Sequence, residues 1–480
     1  MTYLIVISIY LLTLVGIGAW KSNKIKTQSD FAVAGRSLTP WVLVGTMLAT
    51  WIGTGSILGN AGKTYETGLA ALILPLGGVL GIAILARVAG KVRSYESFTV
   101  PEIIGERFGQ LPRLLSVIAL VMAYMVIVSY QYNAGGTVLQ TIFTNDSGAP
   151  QLSSEQATII AAVFIVVYTM LAGLISVAYT DVGNGIIMSL SLIIALPIVW
   201  AKAGGWSGMQ AAFEMTGRGQ HMKFWGVYSG MDIINFCLPS FLLVLGDANM
   251  YQRFFACKDA KGARKATHIL IFAVLVIELL IILNAWVSSS LIPNAANGKH
   301  VLIYSAVQIM PTLLGAITLT TIVGIIISTA DSYLLVPATT LMRDVYSNYI
   351  NPRASEKLIV LLSRMVVLGL GFIAYLVSRG FAESAGFFER ALYAYTIYGA
   401  AITPSLVAAL FWRGATGAGA VASILAGTLM TLLWKEAPSI KAIVPETFYS
   451  QVDEVLPAIT VSVVCLIVVS AMTRKRRQSL

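Results

Sequence analysis

Four acidic residues lie inside long apolar stretches of this chain: Asp181, Asp247, Glu278 and Asp331. An ionised side chain in such a stretch faces a polar interior or a partner group, because lipid cannot solvate it. Each of the four is therefore a functional candidate. The chemistry open to them is cation binding, proton transfer or hydrogen bonding to a solute.

Asp331 has hydroxyl groups as neighbours. Ser328, Thr329, Asp331 and Ser332 fall on adjacent positions of one helical face. Oxygens from this face, with backbone carbonyls of a broken neighbouring helix, would form a site for a hard monovalent cation. The alternative is that the hydroxyls bond back to the preceding turn of their own helix.

Such a broken helix is predicted at residues 49–62, inside an apolar run that begins at Trp41. Glycine disfavours a helix interior, and irregular backbone at membrane depth is tolerated where it lines protein or a polar cavity. The stretch contains Gly53, Gly55, Gly59 and Gly62, with Thr50, Thr54 and Ser56. The alternative is a continuous helix whose small residues permit close packing. Trp51, at the break, is either a buried core aromatic or a ring that stacks on a substrate.

The other acids have competing interpretations. Asp181 is predicted to open a helix at 182–201, where aspartate commonly caps the N-terminus. Glu278 lies mid-helix and either lines a cavity, takes a proton or pairs with a partner. Asp247 caps its helix or binds Arg253. Polar groups in two further helices either bind a solute or serve helix packing; they are Tyr130, Gln131, Tyr132, Asn133, Tyr393, Tyr395, Thr396 and Tyr398.

Composition identifies an all-α integral membrane protein. Charged residues make up 11% of the chain and hydrophobic residues 57%, whereas soluble domains contain about 25% charged residues. Three scattered cysteines and three scattered histidines form neither a disulfide framework nor a metal-ligand spacing. We expect no cleavable signal peptide, because the first apolar run lacks a basic leader and a small-residue cleavage site. We also expect no enzyme activity, no cofactor and no nucleic-acid partner.

Apolar runs long enough to span a bilayer predict about thirteen transmembrane helices. They lie at 2–20, 41–62, 69–88, 114–143, 157–178, 182–201, 231–245, 269–291, 313–341, 357–377, 391–412, 416–434 and 456–472. The helix at 231–245 contains Pro239 and is followed by Gly246, so a second break is predicted there. A short amphipathic segment is predicted at 101–108.

Most of the 32 lysines and arginines fall in alternate loops, including Lys24, Arg113, Arg253 and the tail at 474–477. The positive-inside rule then places the N-terminus outside and the C-terminus in the cytoplasm. Lipid headgroups are the secondary partners of these charges.

Six motifs carry a resemblance to the sodium:solute symporter family, in the same order along nearly the whole chain. They are DFAVAGRSL at 30–38, TVPEIIGERFG at 99–109, YTDVGNGIIM at 179–188, YQRFFACKD at 251–259, STADSYLLVPATTLMRDVY at 328–346 and FWRGATGAGAVAS at 411–423. The resemblance implies a leucine-transporter-like fold built from an inverted five-helix repeat with two broken helices. Within a single membrane domain, 1–480, it implies an extra N-terminal segment at 1–40, repeats at 41–203 and 231–412, and two additional helices with a basic tail at 413–480.

The resemblance also assigns ion ligands, residue by residue. A main sodium site would use the backbone carbonyls of Ala49, Ile52 and Ile325 with the hydroxyls of Ser328 and Thr329. A second cation position would lie near Asp181, Ser328, Asp331 and Ser332. Many relatives have a small polar residue where this chain has Asp331, which leaves the number and kind of cations open.

A solute pocket is implied against the break of the second helix. Its residues would be Trp51, Thr54, Gly55 and Ser56, with Gln131 and Ser240 as further positions. The sequence shows no arginine there to hold a carboxylate, which favours a neutral or zwitterionic solute.

The sequence thus predicts an inner-membrane symporter that couples sodium entry to uptake of a small organic solute such as an amino acid, sugar or carboxylate. The alternatives are a proton-coupled transporter, with Glu278 or Asp331 as relay, and a transporter-like membrane sensor of solute. The oligomeric state is left open.

Overall fold

A computed structural model of the chain describes residues 2–22, 25–144, 149–293, 298, 300–380, 386–436 and 444–474. In these ranges the regular elements are helices. In chain order the α-helices are α1 (Thr2–Ser22), α2 (Gln28–Val33), α3 (Pro40–Trp51), α4 (Ala61–Thr67), α5 (Leu76–Arg93), α6 (Val100–Phe108), α7 (Gln110–Ile142), α8 (Ser154–Lys202), α9 (Gly205–Met215), α10 (Gly230–Gly246), α11 (Ala248–Ala256), α12 (Ala260–Leu291), α13 (Val301–Tyr304), α14 (Thr312–Thr340), α15 (Glu356–Gly380), α16 (Phe387–Ala401), α17 (Thr403–Phe411), α18 (Gly417–Glu436), α19 (Glu446–Tyr449) and α20 (Val455–Thr473).

The second span is broken where the glycine pattern predicts it. Helix α3 begins with Pro40 in its first turn and ends at Trp51; a π-helical segment, Gly55–Asn60, follows and leads into α4. The two halves of the span, Pro40–Trp51 and Gly55–Ile73, meet at a bend of 51°. The break therefore exposes backbone groups in the middle of a membrane-spanning segment.

Helix α8 contains two spans in one continuous run of 49 residues. A straight helix of that length would measure about 74 Å, more than twice the roughly 30 Å of a hydrocarbon core. The run is kinked at Gly173, whose φ of 55° and ψ of 170° are non-helical. Glycine is needed there, because residues with a side chain rarely adopt that backbone conformation.

The kink corrects the prediction that Asp181 opens a helix. The break lies at Gly173, and Asp181 sits about two turns further on, inside regular helix. Its side chain is consequently directed sideways at neighbouring helices instead of capping its own.

The second predicted break lies further along the chain than Pro239. Helix α10 continues through Pro239, so the predicted break at Pro239 is wrong, whereas the break predicted beside Gly246 is present. Transmembrane helices tolerate proline where surrounding helices compensate for the missing backbone bond. The interruption lies at Asp247, immediately after Gly246, with non-helical ψ of 111°, and α11 begins directly after it.

Among the described residues, ten helical runs are long and apolar enough to cross a membrane, and the bent pair makes eleven. The kink divides α8 into two spans, and the 18-residue α5 adds a further helix of spanning length whose C-terminal end is basic. The total agrees with the thirteen predicted. The amphipathic segment is also present, as α6.

Helix α14 occupies the centre of the bundle, in contact with α1, α3, α7, α8 and α11. The second half of the broken span lies on the other side, against α12 and α16. The break in the second span thus lies between α14 and the α12–α16 side. The assignment of 41–203 and 231–412 as inverted repeats stays a prediction.

Two basic residues counted as loop charges are buried. Arg253 is fully buried, and Arg113 forms an ion pair of 2.5 Å with the buried Asp344. They are structural groups and carry little information about orientation. Lys24 and positions 475–477 of the tail lie outside the described residues.

Candidate functional site

The hydroxyl face of α14 meets the end of α3 at the break. The hydroxyl oxygens of Ser328 and Thr329 lie 3.5 and 3.4 Å from the same acceptor, the carbonyl oxygen of Ala49. A Cβ atom added to Gly53 would lie 2.9 Å from Cγ2 and 3.0 Å from Oγ1 of Thr329. Glycine at position 53 is therefore required for this close approach.

The other two backbone positions predicted for the sodium site adjoin the same place. Ile52 is fully buried at the C-terminal end of α3, where regular helix stops. Ile325 is buried in α14, one turn before Ser328 and Thr329. The structure thus gathers a helix end and a hydroxyl pair around one buried point.

Asp181 reaches the same cluster from α8. Its carboxylate accepts hydrogen bonds from the hydroxyls of Ser328 and Thr46, the latter at 2.5 Å. The side chain is fully buried. One carboxylate therefore connects α8, α14 and α3 beside the Ala49 carbonyl.

Asp331 and Ser332 are directed at other partners. The carboxylate of Asp331 accepts a hydrogen bond from Thr169 on the first half of α8. Ser332 lies 3.3 Å from the Thr50 hydroxyl and accepts a bond of 2.5 Å from the buried guanidinium of Arg253. Of the four side chains predicted at a second cation position, Ser328 and Asp181 contact one another directly.

A small cavity lies on the far side of the break, with four of the predicted solute residues on its wall. They are Trp51, Gly55, Ser56 and Ser240. Its free volume is about 30 Å³, well below the roughly 300 Å³ at which ligand pockets usually begin. In this conformation the cavity must widen before it can hold an organic solute.

Thr54 and Gln131 lie behind this wall. The Thr54 hydroxyl donates to the side-chain oxygen of Gln131, and both residues are fully buried. The Gln131 amide nitrogen has no hydrogen-bond partner among the described residues. It would lie 3.3 Å from a Cβ on Gly53, so Gln131 adjoins the contact between Gly53 and Thr329.

Glu278 also lines the cavity, as the first of its three interpretations predicts. Its carboxylate accepts hydrogen bonds from Ser56 at 2.6 Å and from Asn60 at 3.0 Å. Asn60 was missed by sequence reasoning, although it follows Ser56 by one helical turn and so shares its face. Tyr395 completes the polar part of the wall, and Phe236 and Phe388 were missed because nothing in their spacing marks them.

Asp247 caps α11 by accepting a bond of 3.1 Å from the Asn249 amide, and it accepts 2.5 Å from the Tyr124 hydroxyl. Asn133 accepts from Arg390 at 2.9 Å. These polar groups serve packing between helices in this structure.

The fold and this arrangement define a multi-pass membrane transporter. The chain belongs to the sodium:solute symporter family, whose model matches residues 31–427. It is 24% identical to the osmoregulated proline transporter of Bacillus subtilis over 98% of this chain and 95% of that one. It is 25% identical to a sodium/proline symporter of Haemophilus influenzae, over 99% and 96% of the two chains.

Solved structures show the same fold. A sodium-coupled sialic acid symporter superposes with a TM-score of 0.81 at 16% identity over 98% of both chains. The nucleobase-cation symporter Mhp1 superposes at 0.59 and 12% identity, covering 92% of this chain and 95% of its own. The fold is thus the leucine-transporter-like architecture that the sequence predicts. The chain is a sodium-coupled symporter of a small solute.

Proposed function

We propose that sodium binds between α3 and α14 and that its entry drives import of a small organic solute. The ligands would be the backbone carbonyls of Ala49, Ile52 and Ile325 and the hydroxyls of Ser328 and Thr329. The observation that carries this assignment is the convergence of both hydroxyls on the Ala49 carbonyl, at 3.5 and 3.4 Å. The three oxygen atoms are thus close enough to one another to contact a single ion placed between them.

Sodium at this point would join two elements that touch through small side chains. The end of α3 presents a carbonyl oxygen and α14 presents hydroxyl oxygens. These oxygens would take the place of the water molecules that the ion loses when it binds. Because the ion binds the arrangement in which they are close, it favours that arrangement over others. Rocking of one helix group against the other then exposes ion and solute to the opposite side.

Asp181 supports a second cation position in this proposal. Its buried carboxylate contacts Ser328, and a fixed negative charge favours a cation beside it. Asp331 and Ser332 belong to the same proposed position, which they would reach after release from Thr169 and Arg253.

The solute would bind at the cavity beside the break, against Trp51, Gly55, Ser56 and Ser240. Thr54 and Gln131, one layer behind, would link solute binding to the hydroxyl pair. Two relatives are named for proline transport, which supports an amino acid as the first solute to test. Orientation is proposed with the N-terminus outside and the C-terminus in the cytoplasm, in a bacterial inner membrane.

Uptake into vesicles tests the proposal and its alternatives. The purified protein is reconstituted, and radiolabelled solutes that raise its melting temperature are offered under an inward sodium gradient or a pH gradient with potassium. Accumulation under the sodium gradient supports the proposal. Accumulation under the pH gradient in the absence of sodium supports proton coupling, and binding without accumulation supports a sensor.

A further inference from the structure

Glu278 places a carboxyl group on the wall of the cavity, and the described residues give it no basic partner. The side chain is 2% exposed, and its hydrogen bonds come from two neutral donors, Ser56 and Asn60. Among the described residues, no lysine, arginine or histidine lies within 4 Å of its carboxylate oxygens or lines the cavity. Buried carboxylates are normally paired with a cation, because two neutral hydrogen bonds offset a small part of the desolvation cost.

Aromatic rings complete the surroundings of this carboxylate. Four line the cavity, namely Trp51, Phe236, Phe388 and Tyr395. Phe236 and Phe388 pack edge to face, with centroids 5.4 Å apart. Aromatic faces attract ammonium groups, and several rings around a carboxylate form a site for a cationic nitrogen.

An ammonium already lies on two of these rings from outside the cavity. The Lys63 nitrogen is 5.5 Å from the Phe236 centroid and 5.8 Å from the Phe388 centroid, and it pairs with Glu66 at 3.0 Å. The outer surface of the same aromatic pair is thus used for a protein cation. Both rings also line the cavity together with Glu278, so a cation inside it would meet aromatic carbon and a carboxylate.

We propose that the transported solute carries a cationic nitrogen and that the Glu278 carboxylate binds it inside this aromatic cavity. The assignment rests on the proposed function and narrows its solute to amines, whether zwitterionic or purely cationic. A carboxylate on the solute is dispensable, because the described lining of the cavity offers it hydroxyl and amide groups but no basic side chain. Glu278 is the specificity-determining residue, and Ser56 and Asn60 hold its two oxygens in place.

Three matched compounds test which charge is recognised: L-proline, L-prolinamide, which lacks the carboxylate, and tetrahydrofuran-2-carboxylate, which lacks the amine. The panel also contains the other common amino acids, choline, glycine betaine, galactose and sialic acid. Binding is measured as the rise in melting temperature of the full-length protein in sodium buffer and in potassium buffer. We expect amines to bind, amides of bound amino acids to retain binding, and the compounds without a cationic nitrogen to be inactive. Binding confined to galactose, sialic acid or tetrahydrofuran-2-carboxylate overturns the proposal, as does a lack of binding by every amine.

The variant Glu278→Gln removes the charge and keeps both the size of the side chain and an oxygen acceptor. We expect its affinity for the best amine to fall by about tenfold or more, since a charge-assisted hydrogen bond is lost. Stabilisation by sodium alone should be unchanged, which also shows that the variant is folded. The matched control is Glu66→Gln, which removes a half-exposed carboxylate at the outer side of the same rings.

An unchanged amine affinity in Glu278→Gln overturns the proposal. The amine site and sodium coupling can be rejected independently. Equal binding of amines in sodium and potassium buffer would support the amine site and contradict sodium coupling. Sodium-dependent binding of a solute without a cationic nitrogen would support sodium coupling and contradict the amine site. If Glu278 instead carries a coupled proton, Glu278→Gln abolishes uptake driven by a pH gradient and leaves amine binding intact.

Discussion

Gly53→Ala adds a single methyl group at the contact between the broken span and α14. The new Cβ would lie 2.9 Å from Cγ2 and 3.0 Å from Oγ1 of Thr329, and 3.3 Å from the Gln131 amide nitrogen. Ordinary contacts begin near 3.4 Å, so the helices must separate by about 0.5 Å at this point. That displacement moves the Ala49 carbonyl away from the hydroxyls that share the proposed ion.

The magnitude follows from the cost of overpacking, which is typically about 1–3 kcal/mol. If the strain is confined to the closely packed, sodium-bound arrangement, sodium binding weakens by about fivefold to about 150-fold. The assay is the sodium concentration that gives half-maximal solute uptake in vesicles. The maximal rate at saturating sodium should change less, because excess ion restores the packed arrangement.

Two further variants make this prediction specific. Gly183→Ala is the matched control, since a Cβ at Gly183 meets nothing within 4 Å, and it should leave the sodium dependence unchanged. Thr329→Ser removes the Cγ2 methyl and keeps the hydroxyl, so Gly53→Ala combined with Thr329→Ser should recover part of the lost affinity. A Gly53→Ala protein that inserts normally and keeps the wild-type sodium dependence would refute the close-contact argument.

Three other perturbations have defined outcomes. Asp181→Asn should lower the number of sodium ions moved per solute, measured from reversal potentials; an identical ratio would exclude Asp181 as a cation ligand. Arg113→Met leaves the buried Asp344 carboxylate without its cation, so the free energy of unfolding should fall by about 3–5 kcal/mol, and Arg113→Met with Asp344→Leu should recover most of it; equal stability of the single variant would contradict this. Burial, with Arg218 nearby, lowers the pKa of His221 from 6.5 to about 4. The unfolded chain therefore binds a proton that the folded protein excludes, and stability present above pH 6.5 is lost as the pH falls toward 4. His221→Leu should flatten the melting temperature across this range and His268→Leu, at an exposed position, should not; parallel pH profiles of wild type and His221→Leu would show that His221 is not the cause.

The elements of the fold were predictable because each apolar run is a local signal. The break at Gly53 and Gly55 was equally local, since four glycines within one membrane span strongly disfavour a continuous helix. Pro239 misled because proline in a membrane helix does not by itself end it, whereas Gly246, the other predicted marker, does lie at the break before Asp247. The prediction that a helix begins at Asp181 was wrong because α8 is kinked at Gly173, about two turns before Asp181.

Contacts between distant segments were beyond the reach of the sequence. Glu278 was a candidate from its charge, but its bonds to Ser56 and Asn60 depend on α12 packing beside the broken span. Arg253 resembles a loop charge in sequence, yet α11 carries it into the interior against Ser332. The cavity is likewise a product of tertiary packing, since Phe236, Phe388 and Tyr395 come from α10 and α16.

Sodium binding by the hydroxyl pair of α14 is tested most directly by Ser328→Ala combined with Thr329→Ala. The measurement is sodium-dependent solute uptake in vesicles that contain equal amounts of inserted protein. Loss of both hydroxyls should abolish sodium-dependent uptake, because the ion then loses two of its proposed ligands beside the Ala49 carbonyl. Uptake with an unchanged dependence on sodium would place the ion elsewhere and contradict the proposed mechanism.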